Sequence, residues 1–342
     1  MKIRLLSLLA VAGLGQALAQ NPVDPYMGDW KGTLKTGGEE QNVVVAMIPL
    51  GGGKYEAKFL ATFEKRVPVL YHLKGNFRNG EFKFMDAIPF DVSRIVGTTG
   101  SGVVLGASLW SGKSEDGTLT GSIAGKTQGE FKLSQFKRTS PTLGAKPPAG
   151  AIVLFDGKSL DAWRPRDPKA KEVKWKLVEG DAMQVNGGDI MTKEVFADHK
   201  FHLEFRTPYM PTASGQGRGN SGVYPQGRYE VQVLDSYGLE GADNECGGIY
   251  TVARPAVNMC FPPLEWQTYD ITFRAAKFDA TGKKMANARI TVLHNGVTVH
   301  DNVELRVTGG SLDDREIQPG PLLLQDHGNP VLYRNIWVEN LN

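Results

Sequence analysis

Apolar residues recur at every second position through most of this chain, and no stretch of comparable length carries the three-to-four spacing of a helix. A β-strand turns successive side chains to opposite faces, so such alternation predicts half-buried strands. From Tyr26 to Arg138 the runs GDWKGTLKT, NVVVAMIPL, KYEAKFLATF, VLYHLKGNF, GEFKFMD, GVVLGASLW, LTGSIAG and GEFKLSQFKR follow one another. Gly51-Gly52-Gly53, Asn79-Gly80 and Asp116-Gly117 separate them at hairpin spacing. The pattern predicts a small antiparallel barrel or sandwich of up to eight strands over residues 22–138, with Trp30 and Trp110 in its core. It contains no cluster of His, Cys or paired carboxylates, and reads as an accessory module for carbohydrate or a partner.

Residues 139–150, TSPTLGAKPPAG, lack apolar periodicity and carry three prolines, which predicts a semi-rigid linker. Strand patterns then resume over residues 151–342, in WKLVEGDAMQV, FHLEFRTPY, SGVYPQGRYEVQVLD, WQTYDITFRAA, ARITVLHNGVTVHDNVEL, GPLLLQDHG and LYRNIWVEN. Asn295-Gly296 is the strongest short hairpin signal in the chain. Two packed antiparallel sheets, a jelly-roll-like sandwich, suit this second region, so the whole chain is expected to be all-β.

Composition adds the compartment. Lys2 and Arg4, the apolar run Leu5 to Leu14 and the small residues Ala17-Leu18-Ala19 predict an export signal over residues 1–19, and a periplasmic or extracellular mature chain. No later segment reaches the roughly 20 apolar residues of a membrane-spanning helix. Losing Lys2 and Arg4 leaves 37 basic residues against 37 acidic ones, which gives no electrostatic reason to expect nucleic acid or an anionic membrane. The only cysteines, Cys246 and Cys260, are expected to form a disulfide in an exported chain, contributing roughly 3 kcal/mol through loop entropy. A pair of metal ligands is the alternative.

The polar positions also fall at period two. In RYEVQVLD, Glu230 and Gln232 share the face opposite Tyr229, Val231 and Val233, near Asn220 and Arg218. In FHLEFR, His202, Glu204 and Arg206 share one face; in LLLQDHG, Gln325 and His327 do. His327 stands where a strand meets a Gly-Asn-Pro turn, exposed either as a base or ligand or simply as a surface histidine. Glu204 with Arg206, or Glu230 with Arg334, would equally make ion pairs on a solvated face, and the Asp313-Asp314-Arg315-Glu316 run reads as a solvated loop. Tyr250 and Trp266 either stack on a sugar ring or fill the core. No G-x-S-x-G elbow, H-E-x-x-H helix, Walker loop or dinucleotide fingerprint is present, which removes the corresponding hydrolases, zincins, NTPases and oxidoreductases.

VLFDGKSLDAW from Val153 to Trp163, GNSGVY with YEVQVLD, CGGIY, PPLEWQTYDI and the closing LLLQDHGNPVLYRNIWV occur in the order found in the 3-keto-disaccharide hydrolase family, which residues 151–340 resemble. The chain departs from the family pattern at PAVNMC and at Gln267, where Asn is frequent. The resemblance implies a concanavalin- or laminarinase-like sandwich that cleaves glycosides oxidised to a ketone at C3. A C3 ketone acidifies the C2 hydrogen, so a base can remove it and the oxygen on C1 can leave by β-elimination. It implies Glu230 and His327 in proton transfer or as ligands of a divalent cation (Ca²⁺, Mn²⁺ or Zn²⁺), with Glu204 a second carboxylate and no organic cofactor. Arg218, Asn220, Gln232, Gln325, Tyr250, Trp266 and Arg334 become the expected sugar contacts. A non-catalytic carbohydrate-binding sandwich, or a two-carboxylate glycosidase using Glu204 and Glu230, remain the alternatives.

Overall fold

The computed structural model describes residues 23–91, 101–316 and 319–341; the expected export signal lies outside them. Eight antiparallel strands close a barrel: β1 (Gly28–Thr36), β2 (Glu39–Gly51), β3 (Lys54–Leu60), β4 (Tyr71–Arg78), β5 (Glu81–Asp91), β6 (Ser101–Glu115), β7 (Thr118–Gly125) and β8 (Gly129–Phe136). β8 pairs back onto β1 and leaves no open edge. Alternation does the sorting: β3 sends Tyr55, Ala57 and Phe59 inward and Lys54, Glu56 and Lys58 outward. Trp30 and Trp110 are fully buried, their indole N–H groups donating to Tyr26 O and Asp86 Oδ1 at 3.0 and 2.9 Å. Asn79 and Asp116, at φ 51° and 48°, make the left-handed turns that their sequence pairs with Gly predict.

The second region packs two antiparallel sheets face to face. The smaller has five strands in the spatial order Trp163–Pro165, Ile190–Thr192, Leu323–Leu324, Ser221–Tyr224 and Val231–Val233. The larger is built around Leu332–Asn340, His199–Arg206 and Gln267–Arg274, and its Arg289–His294 and Val297–Glu304 strands form the Asn295-Gly296 hairpin. Val223, Val231, Val233 and Leu324 from the small sheet meet Phe201, Leu203, Phe205, Ile271 and Phe273 from the large one in a shared core. Among the described residues no helix is long and apolar enough to cross a membrane.

The linker is fastened down. Ser140 Oγ meets Thr268 Oγ1 at 2.6 Å, Thr142 Oγ1 donates to Asp270 Oδ2 at 2.6 Å, and the Gly144 N–H donates to Glu204 Oε1 at 2.6 Å. The barrel is seated too: Ala46 and Ile48 belong to the sandwich core, and Asp29 accepts hydrogen bonds from Arg138 and from Tyr237.

Two expectations are corrected. Cys246 and Cys260 are free, buried thiols and not a disulfide. Cys246 Sγ lies 3.3 Å from the Tyr269 hydroxyl, and Cys260 Sγ faces the carbonyls of Phe261 and Leu234 at 3.4 and 3.6 Å. The acidic run after Leu312 is not merely solvated: Asp313 accepts from Nε and Nη2 of Arg228, and Glu316 accepts from Tyr229.

Candidate active site

The hairpin formed by Ser221–Tyr224 and Val231–Val233 turns at Pro225-Gln226-Gly227, where Gln226 takes φ 52° and Gly227 φ 66°. Its register places Gly222 opposite Gln232, and the Gly222 carbonyl accepts the Gln325 N–H at 2.9 Å. Val223, Val231 and Leu324, one position along, all face the core. Period two therefore turns Gly222, Gln232 and Gln325, with Tyr224 and Glu230, to the opposite face.

On that face Gly222 leaves a bare spot that neighbours overhang. A Cβ added there would lie 2.6 Å from Glu230 Oε1, 2.8 Å from Tyr224 Cε2 and 3.3 Å from Gln325 Oε1. Glu230 is 3% exposed and has no ion-pair partner among the described residues. Burial pushes its carboxyl up to about 7; the Tyr224 hydroxyl works against the shift and the Asp189 charge adds to it. The nearby cation is spent elsewhere, since Arg166 is bonded to Asp189 at 2.9 Å and to the Gly310 and Ser311 carbonyls at 2.8 and 2.7 Å.

Amides surround the carboxyl. Gln325 Nε2 donates to the Tyr224 hydroxyl at 2.9 Å, and Gln232 Nε2 donates to Gln216 Oε1 at 3.1 Å. Asn220 donates to the Gln216 carbonyl at 2.7 Å, and its own N–H is taken by Asn329 Oδ1 at 2.8 Å. The side-chain oxygens of Asn220, Gln232 and Gln325 are buried without a partner. Gln232 and Gln325 each keep one N–H and the oxygen free, which matches a sugar hydroxyl that both donates and accepts. Asn220 gives its N–H groups to Gln216 and keeps only its oxygen. Tyr250, half-buried, is tied by its N–H to the Glu230 carbonyl at 3.1 Å and flanks the Gly309 loop. Met191, Tyr224, Leu323 and Leu312 make an apolar patch beside the polar group. His327 is exposed on the turn that also brings Asn329 to Asn220.

The donor set decides what a metal would meet. Among the described residues no three His, Cys, Asp or Glu side chains come together to hold one, so Glu230 and His327 are not two members of such a cluster. The partnerless amide oxygens beside Glu230 suit a hard, oxygen-seeking cation better than Zn²⁺.

Four expected site residues are elsewhere. Glu204 lies on the large sheet, on the side away from the core, so it and Glu230 occupy opposite outer faces of the sandwich. Burial opposes the Glu204 charge, but His202, Asn335, Arg334 and the Gly144 N–H outweigh it and hold the carboxyl at about 2. Arg334 donates to Glu204 at 2.7 Å and stacks its guanidinium 4.0 Å from the Trp266 ring, so these three form one structural group under the linker. Arg218 donates to the fully buried Asp235 at 2.6 Å, behind the candidate face. Tyr224, Gln216 and Asp189 are site residues the sequence reading passed over. Tyr224 shares parity with Asn220 and Gly222, a signal that was present; Gln216 and Asp189 come from loops and gave none.

Residues 150–339 match the sequence profile of the 3-keto-alpha-glucoside-1,2-lyase-like domain. A crystal structure from Parabacteroides distasonis, provisionally described as a glycosyl hydrolase, is 38% identical with a TM-score of 0.52, over 57% of this chain and 85% of that one. A second protein from the same organism, described in the same way, is 19% identical with a TM-score of 0.43, over 56% and 94%. No curated protein matches the sequence.

Proposed function

The chain belongs to the 3-keto-alpha-glucoside-1,2-lyase-like family of carbohydrate-active enzymes, and we propose that it cleaves 3-keto-glycosides at the face around Glu230. The observation that carries this reading is a buried carboxyl with no ion-pair partner among the described residues, shifted to about 7 and set among amides with spare hydrogen-bonding capacity. A base poised near the working pH is what proton abstraction beside a ketone needs.

In the proposed reaction Glu230 takes the proton from C2. The electron pair forms the C1=C2 bond as the glycosidic oxygen leaves C1, giving a 2-hydroxy-3-keto-glucal. The departing oxygen is protonated by the Glu230 carboxylic acid or, at the exposed rim, by His327. Gln232, Gln325 and Asn220 hold the sugar hydroxyls, and Tyr250 closes one edge. A divalent cation, if held by the amide oxygens of Gln325 and Gln232, would supply Lewis-acid stabilisation of the developing negative charge and leave Glu230 free as the base. Water adding to the glucal completes a net hydrolysis. On this reading the two sheets take the concanavalin- or laminarinase-like jelly-roll form, and the mature chain works in the exported compartment.

Glu230→Gln keeps the shape and removes the base. Aglycone release from a 3-keto-glucoside should fall by about 10²-fold or more, with a melting temperature at neutral pH no lower than that of the wild type. His327→Ala should lower it less. Wild-type-like turnover by Glu230→Gln refutes the assignment, and binding of the 3-keto sugar without cleavage by the wild type indicates a carbohydrate-binding module. The opposite faces of Glu204 and Glu230 favour this reading over a two-carboxylate glycosidase built on that pair.

A further inference from the structure

A cleft of about 400 Å³ lies between the barrel and the sandwich; Tyr237 to Glu240 line it just beyond the hairpin that carries Glu230, but no residue of that hairpin does. That volume falls in the range of small-molecule sites. β3 and the loop after it supply Lys58, Phe63, Val67 and Pro68, and the sandwich supplies Leu239 and Val257.

The charged groups on its walls are unequally employed. Arg66 is committed to the sandwich backbone, donating to the carbonyls of Glu240, Pro255, Gly241 and Ala256 at 2.6, 2.8, 2.9 and 3.3 Å. Arg138 is held by Asp29 at 2.7 Å and packs its guanidinium 4.2 Å from Phe63 and 4.8 Å from Phe261. Two donors are left over: Arg138 Nη1 is buried without a partner, and Lys58, half-buried, has no hydrogen bond or ion pair among the described residues. Two of the acids around Lys58 are occupied, and the third, Glu240, is exposed and lines the cleft as well. Glu56 is taken by His72 and Lys74, and Glu245 by the N–H groups of Gly241 and Ala242. Burial lowers the Lys58 ammonium from the usual lysine value, and the charges of Glu56, Glu240 and Glu245 only partly offset this. A buried cation without a counter-ion is stabilised by any anion that reaches it.

The walls choose among anions. Lys65, Arg138 and Asn258 add donors to the cleft, so any anion finds partners there, but Phe63, Val67, Pro68, Leu239 and Val257 give contact only to a ligand that also carries a flat apolar body. We propose that this interdomain cleft binds a small aromatic carboxylate, its anionic end on Lys58 and its ring system between the barrel loop and the sandwich. The site is separate from the Glu230 face and does not depend on what that face does.

Calorimetric titration of the full chain with 2-naphthoate, against the neutral isostere 2-naphthamide, tests it. The carboxylate should bind saturably and at least tenfold more tightly than the amide. Lys58→Met, which keeps the outward stem on β3, should abolish that preference. Leu239→Trp, on the opposite exposed wall, should weaken binding by narrowing the cleft, and Glu230→Gln should leave it unchanged. Absence of saturable binding overturns the proposal. So does equal affinity for the amide, a preference that survives Lys58→Met, indifference to Leu239→Trp, or loss of binding in Glu230→Gln.

Discussion

Two buried glutamates on one sandwich illustrate how environment separates roles. Glu204 is surrounded by donors and held at about 2, whereas Glu230 is buried without an ion-pair partner among the described residues and raised to about 7. Their contributions to stability have opposite signs. Glu204 binds its proton less readily folded than unfolded, so its contribution is present above about pH 4.5 and is lost as pH falls toward 2. Glu230 binds its proton more readily folded, so its contribution is complete below about pH 4.5 and is lost as pH rises through 7. Each shift corresponds to about 3 kcal/mol at most. Glu204→Gln should therefore lower stability at neutral pH by about that amount, while activity per folded molecule is retained; chemical denaturation with activity assay checks both. Loss of activity in the folded variant would return Glu204 to the site. Parity along FHLEFR and YEVQVLD was legible in the sequence, and both glutamates do turn away from the core. Which sheet each strand joins was not, because pairing partners lie far along the chain.

At the level of elements, the site depends on a strand that is empty at one position. Gly222 has ordinary backbone geometry, so its lack of a side chain matters for space and not for a turn. Gly222→Ala would set a methyl 2.6 Å from Glu230 Oε1 and 2.8 Å from the Tyr224 ring. Overpacking of this kind costs about 1–3 kcal/mol, and displacing the base should lower kcat by tenfold or more. Steady-state rates on a 3-keto-glucoside, alongside a melting curve, measure both; unaltered kcat would show that the carboxyl works from another position. The hairpin itself was readable from alternation and its turn residues. The apposition of Leu323–Leu324, which brings Gln325 beside Gly222, was not, since about a hundred residues separate the two strands. The disulfide expectation fails for a related reason: spacing gives a loop length, while the two thiols, though beside each other, stay free and are engaged with Tyr269 and with backbone carbonyls.

Across the whole molecule, the barrel and the sandwich are joined by more than a linker. Asp29 is 3% exposed and binds Arg138 and Tyr237, and Ile48 lies in the sandwich core. Removing one partner of such a buried pair costs about 3–5 kcal/mol. Asp29→Ala should thus lower the melting temperature and loosen the barrel from the sandwich, which scanning calorimetry would register as a lower or divided transition. An unchanged single transition would mean that this contact contributes nothing to the joint. The barrel was legible strand by strand, because each hairpin announces itself locally; its seating on the sandwich rests on isolated side chains and left no pattern. The chemistry assigned to the Glu230 face is tested most directly by a 3-keto-glucoside carrying deuterium at C2. Cleavage should be slowed severalfold and should yield a product that has lost the label, both effects absent without enzyme. Release of aglycone at an undiminished rate, with deuterium retained in the sugar, would contradict removal of the C2 proton by Glu230.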